Sequence, residues 1–441
     1  MGRTHRRRKR KIRRKISSNL HSSPYFINLT QWMKKHGWSP TCTLCPVEFY
    51  DTGRGLRTER SIAKNEVIVS IPLELLITVS RVQSSDIGWL FSKYSGVNGA
   101  HFSSQQVLAA FLIWERHLGH HSVWEPYLNS LPLDYSTPLF CSSEELHLLP
   151  SVLLEPILVQ KQKVIDTFSE LESILSTQSW KCWHCNESLS SIIHFEEYLW
   201  AWSAVNTRSV YLDECVVSHS LSIQDKSCLA LVPYLDMFNH SNDVDVQVGL
   251  SSDRNCYEIQ TLTPFAKHTQ VFIRYGYHSN LKLYTEYGFI LPFSQHDFIP
   301  LLFEEILSSV KDVYPVRFNC SASKLNFLKV RNLTENLSCN SEGLSFNVKA
   351  LIYLLMTSES KKYDLTRRIY SSDFTSEENV AICKVGKQLI KQKCSEFESV
   401  LNMMKQKKSN GCSRSFEVAS DLILEYINLL KRAEKLDSKE F

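Results

Sequence analysis

A polar turn directly follows an apolar run in the middle of the chain, and its residue types are suited to holding a polar ligand. Asn239-His240-Ser241 comes shortly after the apolar run 228–232. Side chains of this kind compete for backbone hydrogen bonds, so they disfavour continuation of a helix or a strand. Because a turn held by a rigid element often carries a binding site, we expect a functional turn here. The alternative is an ordinary surface turn.

Two Tyr-Gly pairs lie downstream of this turn, at Tyr275-Gly276 and Tyr287-Gly288. A single tyrosine beside a glycine is usually a core aromatic. However, a phenol also forms hydrogen bonds, and its aromatic face attracts cations. Two such pairs close behind an Asn-His-Ser turn therefore favour a site.

A third candidate is Gly53-Arg54-Gly55, which lies between strand-like segments near the start of the chain. Glycine has no Cβ and allows the backbone to approach a ligand closely. The segment does not fit a dinucleotide site, since the glycine spacing required to open a helix is missing. An isolated Gly-x-Gly of this kind is usually only a turn.

The order of these motifs resembles the SET-domain protein methyltransferases, more narrowly the class typified by the Rubisco large-subunit lysine methyltransferase. The motifs are Gly-x-Gly, Asn-His-Ser, Tyr-Gly and, at 287–289, Tyr-Gly-Phe; the resemblance extends over roughly residues 28 to 440. It implies an α+β fold, in which a SET-domain β-fold is split by a helical insertion and followed by an all-α C-terminal bundle.

The resemblance also implies a cofactor, S-adenosyl-L-methionine, and roles for individual residues. The cofactor would be bound by Gly53, Arg54, Gly55, Asn239, His240 and Tyr275. The protein substrate would be met by Arg208, Asp236 and Tyr287, with Tyr275 and Tyr287 as the catalytic side chains. No metal is expected to take part.

Direct methyl transfer explains why aromatic residues suit such a site. Attacking nitrogen, methyl carbon and sulfur must lie nearly in line, so positioning supplies much of the acceleration. The lysine amine must be neutral, whereas its reference pKa is about 10.4. An apolar aromatic channel disfavours the ammonium form and lowers that pKa.

The resemblance, together with the charge and hydrophobic pattern of the chain, implies three regions. Residues 1–24 form a disordered basic tail, 47–276 the SET domain with a helical insertion at about 103–220, and 277–441 a C-terminal helical region. Within these regions, helices are predicted near 26–37, 105–118, 153–175, 194–210, 348–356, 380–404 and 416–430. By resemblance, the C-terminal region would be the substrate-binding domain. The alternative is an ordinary packing domain.

Charge is concentrated at the start of the chain. Residues 1–16 hold ten Lys or Arg and no acid, although the net charge of the whole chain is only +4. Such a segment is typical of a nuclear-localisation signal, a weak nucleic-acid contact or a solvated tail. We expect a location in both nucleus and cytoplasm. No apolar stretch is long enough for a membrane span.

Thirteen cysteines spread through a long chain do not indicate a disulfide framework, so a reducing compartment is expected. Two pairs have the spacing of zinc ligands, Cys42-x-x-Cys45 and Cys182-x-x-Cys185. They are about 140 residues apart and the second lies between helical segments, so a zinc site is not expected.

The sequence thus predicts a monomeric, S-adenosyl-L-methionine-dependent protein-lysine N-methyltransferase that acts on a histone or another lysine-containing protein. One alternative is a methyltransferase for histidine or for non-histone proteins. The other is a catalytically weak chromatin- or RNA-binding module recruited by the basic tail.

Overall fold

The computed structural model describes residues 18–94, 102–212, 228–251, 255–357, 367–371, 374–408 and 411–436. The chain divides into two compact units. The first comprises Met1–Tyr135 and Lys161–Tyr277, and the second Ser136–Gln160 and His278–Phe441. The basic segment 1–16, with its predicted localisation or nucleic-acid role, lies outside the described residues.

The first unit is built on three small sheets of short strands. A five-stranded sheet has the order Ser18–Asn19, Leu44–Phe49, Gly53–Thr58, Gln270–Ile273, Asn239–His240. The other two have the orders Glu66–Pro72, Cys256–Thr261, Val246–Ser251 and Ile77–Thr78, Cys228–Leu231, Ser209–Leu212. The strand Cys256–Thr261 shows why they form: Tyr257, Ile259 and Thr261 alternate with less buried residues, as one covered face of a sheet requires.

Helices of the first unit cover these sheets. They are Pro24–Lys35, Val79–Gln83, Gly88–Tyr94, Ser104–Leu118, Glu125–Leu128, Leu189–Ile192 and Phe195–Arg208, with 3₁₀ turns at Leu73–Leu75, Gly119–His121 and Leu235–Met237. The first helix buries the residues at helical spacing, Phe26, Leu29, Trp32 and Met33, on one face.

The helix Ser104–Leu118 has a well-defined start. Ser103 Oγ accepts from the N–H of Gln106 at 3.1 Å, and the Gln106 side chain accepts from the N–H of Ser103 at 2.8 Å. This reciprocal cap satisfies two backbone donors that the helix leaves open. The helix packs against Phe195–Arg208, and this pair forms the scaffold of the insertion.

The second unit is mainly helical. Its helices are Ser143–Leu146, Asn280–Lys282, Phe303–Val313, Ala322–Val330, Phe346–Met356, Ser376–Lys408 and Arg414–Ala433, together with a 3₁₀ turn at Pro138–Phe140 and a π turn at Leu283–Tyr287. Leu351, Leu389, Phe397 and Tyr426 lie in its core. The predicted helical C-terminal region is confirmed. The unit also contains a three-stranded sheet of Ile299–Pro300, Ser338–Asn340 and Gly343–Leu344, which helical periodicity did not indicate.

Three boundaries differ from those drawn on the sequence. Ser18–Asn19 pairs with Val47 and Glu48, so the segment assigned to the tail contains a strand. The last helix of the insertion ends at Arg208, and a strand follows within the range expected to be helical. Residues 136–160, the last ten of which begin the helix Ser151–Leu175, group with the second unit. No helix in the described part of the chain has the length and apolar character needed to cross a membrane.

Candidate active site

The strand Gln270–Ile273 brings two of the predicted motifs together in the first unit. It pairs antiparallel with Gly53–Thr58 through Arg57 and Leu56, and parallel with Asn239–His240 through Phe272 and Ile273. The Gly-x-Gly segment and the Asn-His turn, almost 190 residues apart in sequence, therefore flank one strand.

Asn239 ties the turn to the glycine segment through its side chain. Its Nδ2 donates hydrogen bonds to the backbone oxygens of Arg54 at 2.9 Å and Thr52 at 3.2 Å. The side chain thus acts as a clamp on the backbone between Thr52 and Gly55. Gly53 begins the strand with φ +67°, a conformation that favours glycine.

Gly55 lies in a crowded position, where a side chain would displace its neighbours. A Cβ at this position would come within 2.6 Å of Gln270 Nε2 and 2.8 Å of Asn239 Nδ2. The absence of a side chain leaves room for the Gln270 and Asn239 amides to pack against the Gly55 backbone. This cradle of backbone and amide groups is suited to the polar parts of S-adenosylmethionine, so the residues fit the expected cofactor.

His240 and Tyr275 form a second contact of this site. The Tyr275 N–H donates to His240 Nδ1 at 3.1 Å, and the two rings stack with centroids 5.1 Å apart. Since Nδ1 accepts, a neutral His240 carries its proton on Nε2. Burial of His240 keeps the ring in this orientation.

The phenol of Tyr275 is also fixed. Its Oη donates to the backbone oxygen of Phe238 at 2.6 Å. Both the backbone and the side chain of Tyr275 are therefore attached to the segment that carries Asn239, and the tyrosine has a defined position at the end of the strand.

Arg208, Asp236 and Tyr127 form a buried polar cluster in the same unit. Arg208 Nη1 lies 3.0 Å from Asp236 Oδ2 and also donates to the Asp236 backbone oxygen at 3.0 Å. The Tyr127 hydroxyl donates to the same carboxylate oxygen at 3.1 Å. Only 2% of the Asp236 side chain and 18% of the Arg208 side chain are exposed. The carboxylate is thus satisfied by two donors from distant elements.

Burial and charge act in opposite directions on this cluster. Burial disfavours the charged guanidinium of Arg208, but the Asp236 carboxylate, together with Tyr135 and Tyr127, outweighs burial and raises the Arg208 pKa. Burial, followed by the nearby Asp236 charge, raises the pKa of Tyr127 well above its ordinary value. Arg208 therefore stays a cation and Tyr127 a neutral donor throughout the physiological range.

Arg54 connects the glycine segment to the insertion. Its Nη1 donates to the backbone oxygen of Ser130 at 3.0 Å. Burial, with Arg208 as the second cause, lowers the pKa of Arg54. The influence of Arg208 places the two guanidinium groups in one electrostatic environment, which the Asp236 carboxylate shares.

The turn before Asn239 has an unusual backbone. Tyr234 adopts φ +71°, which is rare for a residue with a side chain. Its hydroxyl donates to the backbone oxygen of Leu44 at 3.0 Å, and its ring packs 4.9 Å from that of Trp38. These contacts hold the turn that delivers Asp236 and Asn239.

Tyr287 belongs to the second unit and is described within it. It ends the π turn Leu283–Tyr287, and Gly288 follows with φ +77°. Its ring stacks on His278 at 6.1 Å and lies 6.1 Å from the ring of Phe289. A Cβ on Gly288 would come within 2.6 Å of the Ser136 carbonyl carbon, so glycine is required for this turn to pack.

The structure thus brings Gly53, Arg54, Gly55, Asn239, His240, Tyr275, Arg208 and Asp236 into one unit. Two further residues at this site are not indicated by any motif of the sequence. Gln270 is a strand residue without a motif, and Tyr127 lies more than a hundred residues from the carboxylate it contacts. In the sequence, only the Trp-Glu-Pro-Tyr stretch at 124–127 draws attention to Tyr127.

Comparison with known protein families agrees with this geometry. The model of the SET domain family matches residues 53–276, about half of the chain. The chain therefore belongs to the SET-domain family, as the order of motifs predicted.

Similarity to individual proteins gives more detail than the family match. SET domain-containing protein 4 of Homo sapiens is 31% identical over 423 residues, covering 93% of this chain and 90% of that protein. The protein of the same name from Mus musculus is 32% identical over 385 residues, covering 86% and 83%. The actin-histidine N-methyltransferase of Mus musculus is 29% identical over 277 residues, covering 62% and 43%.

Solved structures show the same fold. The SET domain of LSMT bound to lysine and AdoHcy matches with a TM-score of 0.60 and 19% identity, covering 94% of this chain and 90% of that chain. Rubisco LSMT bound to AdoMet matches with a TM-score of 0.57 and 18% identity, covering 93% and 91%. The predicted fold class is confirmed. The predicted cofactor, S-adenosylmethionine, is confirmed for the class to which this chain belongs.

Proposed function

We propose that this protein is an S-adenosylmethionine-dependent protein-lysine N-methyltransferase, with histones as the first candidate substrates. The observation that carries the proposal is the clamp formed by Asn239 on the Thr52–Gly55 backbone, next to Tyr275. The strand Gln270–Ile273 brings the glycine segment and Asn239 together, and Tyr275 with its fixed phenol follows two residues later, which supports a cofactor site here.

The residues of the first unit would act by positioning. S-adenosylmethionine, when bound, supplies a methyl group activated by a sulfonium. Asn239 and the Gly53–Gly55 backbone hold the polar parts of the cofactor, and His240 orients Tyr275 through its Nδ1. Because direct displacement depends on alignment, small errors in these positions reduce the rate strongly.

Arg208 and Asp236 would serve the substrate side. Asp236 has two donors on one carboxylate oxygen, so the pair fixes the end of the helix Phe195–Arg208 beside the turn that leads to Asn239. Their role is to set the wall against which a substrate peptide is aligned.

Tyr287 is assigned to the acceptor amine on the basis of the sequence resemblance. A lysine amine attacks only when neutral, and its ordinary pKa is about 10.4. The aromatic neighbours of Tyr287 are Phe289 and His278, so an acceptor amine beside the phenol would lie in an aromatic environment. Such an environment favours the neutral amine and accommodates the methylated product through cation–π contact.

A second candidate function is methylation of a histidine side chain. The similarity to the actin-histidine N-methyltransferase, at 29% identity over 277 residues, favours it. The same cofactor clamp would serve both reactions, since the difference lies in the acceptor that reaches the methyl group. A non-histone protein substrate is compatible with either acceptor.

The experiment is methyl transfer from radiolabelled S-adenosylmethionine to core histones and to total lysate, followed by acid hydrolysis of the labelled proteins. We expect the label in methyl-lysine and its loss with Tyr287→Phe. Label in methyl-histidine would replace the lysine proposal by the histidine one. No labelled product from folded protein, with every acceptor tried, would contradict both.

We further propose that the chain acts as a monomer in nucleus and cytoplasm, with the basic segment 1–16 as the localisation signal and a weak nucleic-acid contact. Its ten cations and lack of acids support this role. Deleting 1–16 should shift the protein out of the nucleus and leave methyl transfer to a short peptide unchanged. A chain that transfers no methyl group, and whose main biochemical property, binding to chromatin or RNA, is abolished by the deletion, would favour the tail-driven binding module instead.

A further inference from the structure

Three potential metal ligands meet in the insertion of the first unit, away from the residues described above. The side chains of His117, Cys182 and Cys185 place their ligand atoms within 4.8 Å of one another. The Cys185 Sγ lies 3.3 Å from His117 Nε2. The spacing of the two cysteine pairs does not indicate this group, because His117 is 65 positions from Cys182 and no local spacing relates them.

The cysteine pair lies in a closed turn. The Cys182 N–H donates to the Glu187 oxygen at 2.8 Å, and the Asn186 N–H donates to the Cys182 oxygen at 2.9 Å. Asn186 takes φ +63°, a conformation that asparagine tolerates better than most residues. Lys181 and Ser188 bridge as an antiparallel pair. The turn is thus formed by the backbone, and both thiols point toward the same histidine.

Aromatic packing attaches this turn to the end of a helix. Trp180 packs edge-on against Trp114 of the helix Ser104–Leu118, with ring centroids 5.2 Å apart. The His117 ring lies 5.8 Å from that of Trp114 on the same helix. Gly119, at φ +53°, caps the helix two positions after the histidine. The position of His117 beside the turn is therefore determined by the fold.

We propose that His117, Cys182 and Cys185 bind a structural zinc ion. Tetrahedral zinc takes sulfur at about 2.3 Å and nitrogen at about 2.0 Å, which puts bound sulfur and nitrogen roughly 3.5 Å apart. The separation of Cys185 Sγ and His117 Nε2 is close to this value. Two thiolates and a neutral imidazole balance the charge of the ion, and soft sulfur ligands select zinc over magnesium or calcium.

The fourth ligand of the zinc ion would be a histidine at the same turn or a water molecule. His184 lies between the two cysteines, and its ring is 4.4 Å from that of His121. Glu187 and His184 both act electrostatically on His117, so polar groups surround the site. Cys42 and Cys45 have different surroundings: Cys42 interacts with Thr58, and Cys45 with Glu59.

The ion would join two parts of the insertion. The helix Ser104–Leu118 packs on Phe195–Arg208 through Arg116, which contacts Glu197 at 3.1 Å and lies over the Trp200 ring at 4.3 Å. Zinc would link the end of the first helix to the segment that enters the second. Because the second helix carries Arg208, the metal would stiffen the support of the Arg208–Asp236 pair without taking part in methyl transfer.

Zinc content of the full-length chain, purified under reducing conditions without chelator, tests the proposal. Elemental analysis should find one zinc ion per chain in the wild type and almost none in Cys185→Ser. His117→Ala should lose most of the metal. The matched control is Cys45→Ser, which removes a cysteine of the other pair and should keep the full content.

Cobalt substitution in the wild-type protein tests the proposal even if a cysteine variant fails to fold. Wild-type protein, stripped of metal and loaded with Co²⁺, should show thiolate charge transfer in the near ultraviolet and strong visible absorption of a tetrahedral site. Three results would overturn the proposal: folded wild type with neither zinc nor the cobalt spectrum, full zinc retained by Cys185→Ser, or a Cys182–Cys185 disulfide that persists in protein freshly purified under reducing conditions.

Discussion

Arg208 Nη1 contacts Asp236 twice, at 3.0 Å from the side-chain oxygen Oδ2 and 3.0 Å from the backbone oxygen. One guanidinium thus links the last residue of the helix Phe195–Arg208 to the 3₁₀ turn Leu235–Met237. The turn leads directly into Asn239, which clamps the glycine segment. The helical insertion and the proposed cofactor site are therefore connected through one buried ion pair.

Breaking the Arg208–Asp236 pair should lower the free energy of unfolding. Asp236→Asn leaves the Arg208 charge buried without its counter-ion, and loss of one partner of a buried pair typically costs about 3 to 5 kcal/mol. We expect the free energy of unfolding of the first unit to fall by about 3 kcal/mol. The measurement is denaturant unfolding of wild type and variant, monitored by tryptophan fluorescence.

The control is Glu197→Gln, which breaks the Arg116–Glu197 pair. Its two side chains are 38% and 33% exposed, so the loss should stay below about 1 kcal/mol. Equal losses in the two variants would contradict the structural importance assigned to the Arg208–Asp236 contact.

Gly55→Ala should weaken cofactor binding by about tenfold, equivalent to about 1.4 kcal/mol. The new Cβ would come within 2.6 to 2.8 Å of the Gln270 and Asn239 amides and displace the Asn239 clamp. Gly249→Ala is the matched control, since nothing lies within 4 Å of a Cβ there. Calorimetric titration with S-adenosyl-L-homocysteine distinguishes the two; unchanged affinity in Gly55→Ala would argue against this cradle as the cofactor site.

Tyr275→Phe should lower the rate of methyl transfer by about a hundredfold and change cofactor affinity little. The substitution removes the hydroxyl that donates to Phe238 but keeps the ring that stacks on His240. Single-turnover transfer to the labelled acceptor protein measures the effect. Tyr277→Phe, which alters a tyrosine that is 66% exposed, should transfer at the wild-type rate. Similar rates in Tyr275→Phe and wild type would exclude a positioning role for the phenol.

Asp297 predicts a pH dependence of stability in the second unit. Burial raises its pKa to about 6 from an unfolded value near 3.8, so between these values the folded state holds a proton that the unfolded state has lost. The stabilising contribution of Asp297 to the free energy of unfolding is fully present below about pH 4. It is lost as the pH rises to about 6, a change of about 3 kcal/mol. Above pH 6 it should no longer vary.

The check is the free energy of unfolding against pH for wild type and Asp297→Asn. The asparagine cannot titrate, so the difference between the two curves isolates this carboxyl from the other acids. The difference should shift by about 3 kcal/mol against the wild type between pH 4 and 6. Parallel curves would show that the carboxyl keeps an ordinary pKa in the folded protein.

Local patterns predicted much of this structure. Helical spacing located the helix with Phe26, Leu29, Trp32 and Met33 buried, and apolar periodicity located the long helices of the second unit. The motifs Gly53-Arg54-Gly55 and Asn239-His240 were chosen from their residue types, and the strand Gln270–Ile273 joins them. Their proposed roles with substrate and cofactor stay predictions until they are tested by mutation.

What escaped prediction depends on contacts between distant positions. Tyr127 is a core aromatic by sequence, and only folding brings its hydroxyl to Asp236. His117 approaches Cys185 for the same reason. The strand Ile299–Pro300 has too few residues to show an alternating pattern, and it is stabilised by pairing with Ser338–Asn340. Hydrophobic periodicity predicts a local helix or strand, but it does not predict which distant residues that element will contact.

The measurement that tests the central claim most directly is calorimetric binding of S-adenosyl-L-homocysteine to the wild-type chain and to Asn239→Ala. Removal of the amide that donates to Thr52 and Arg54 should weaken binding at least about tenfold. The circular dichroism spectrum should be unchanged. A folded wild type that binds no cofactor, or an Asn239→Ala variant that binds as tightly as wild type, would contradict the account.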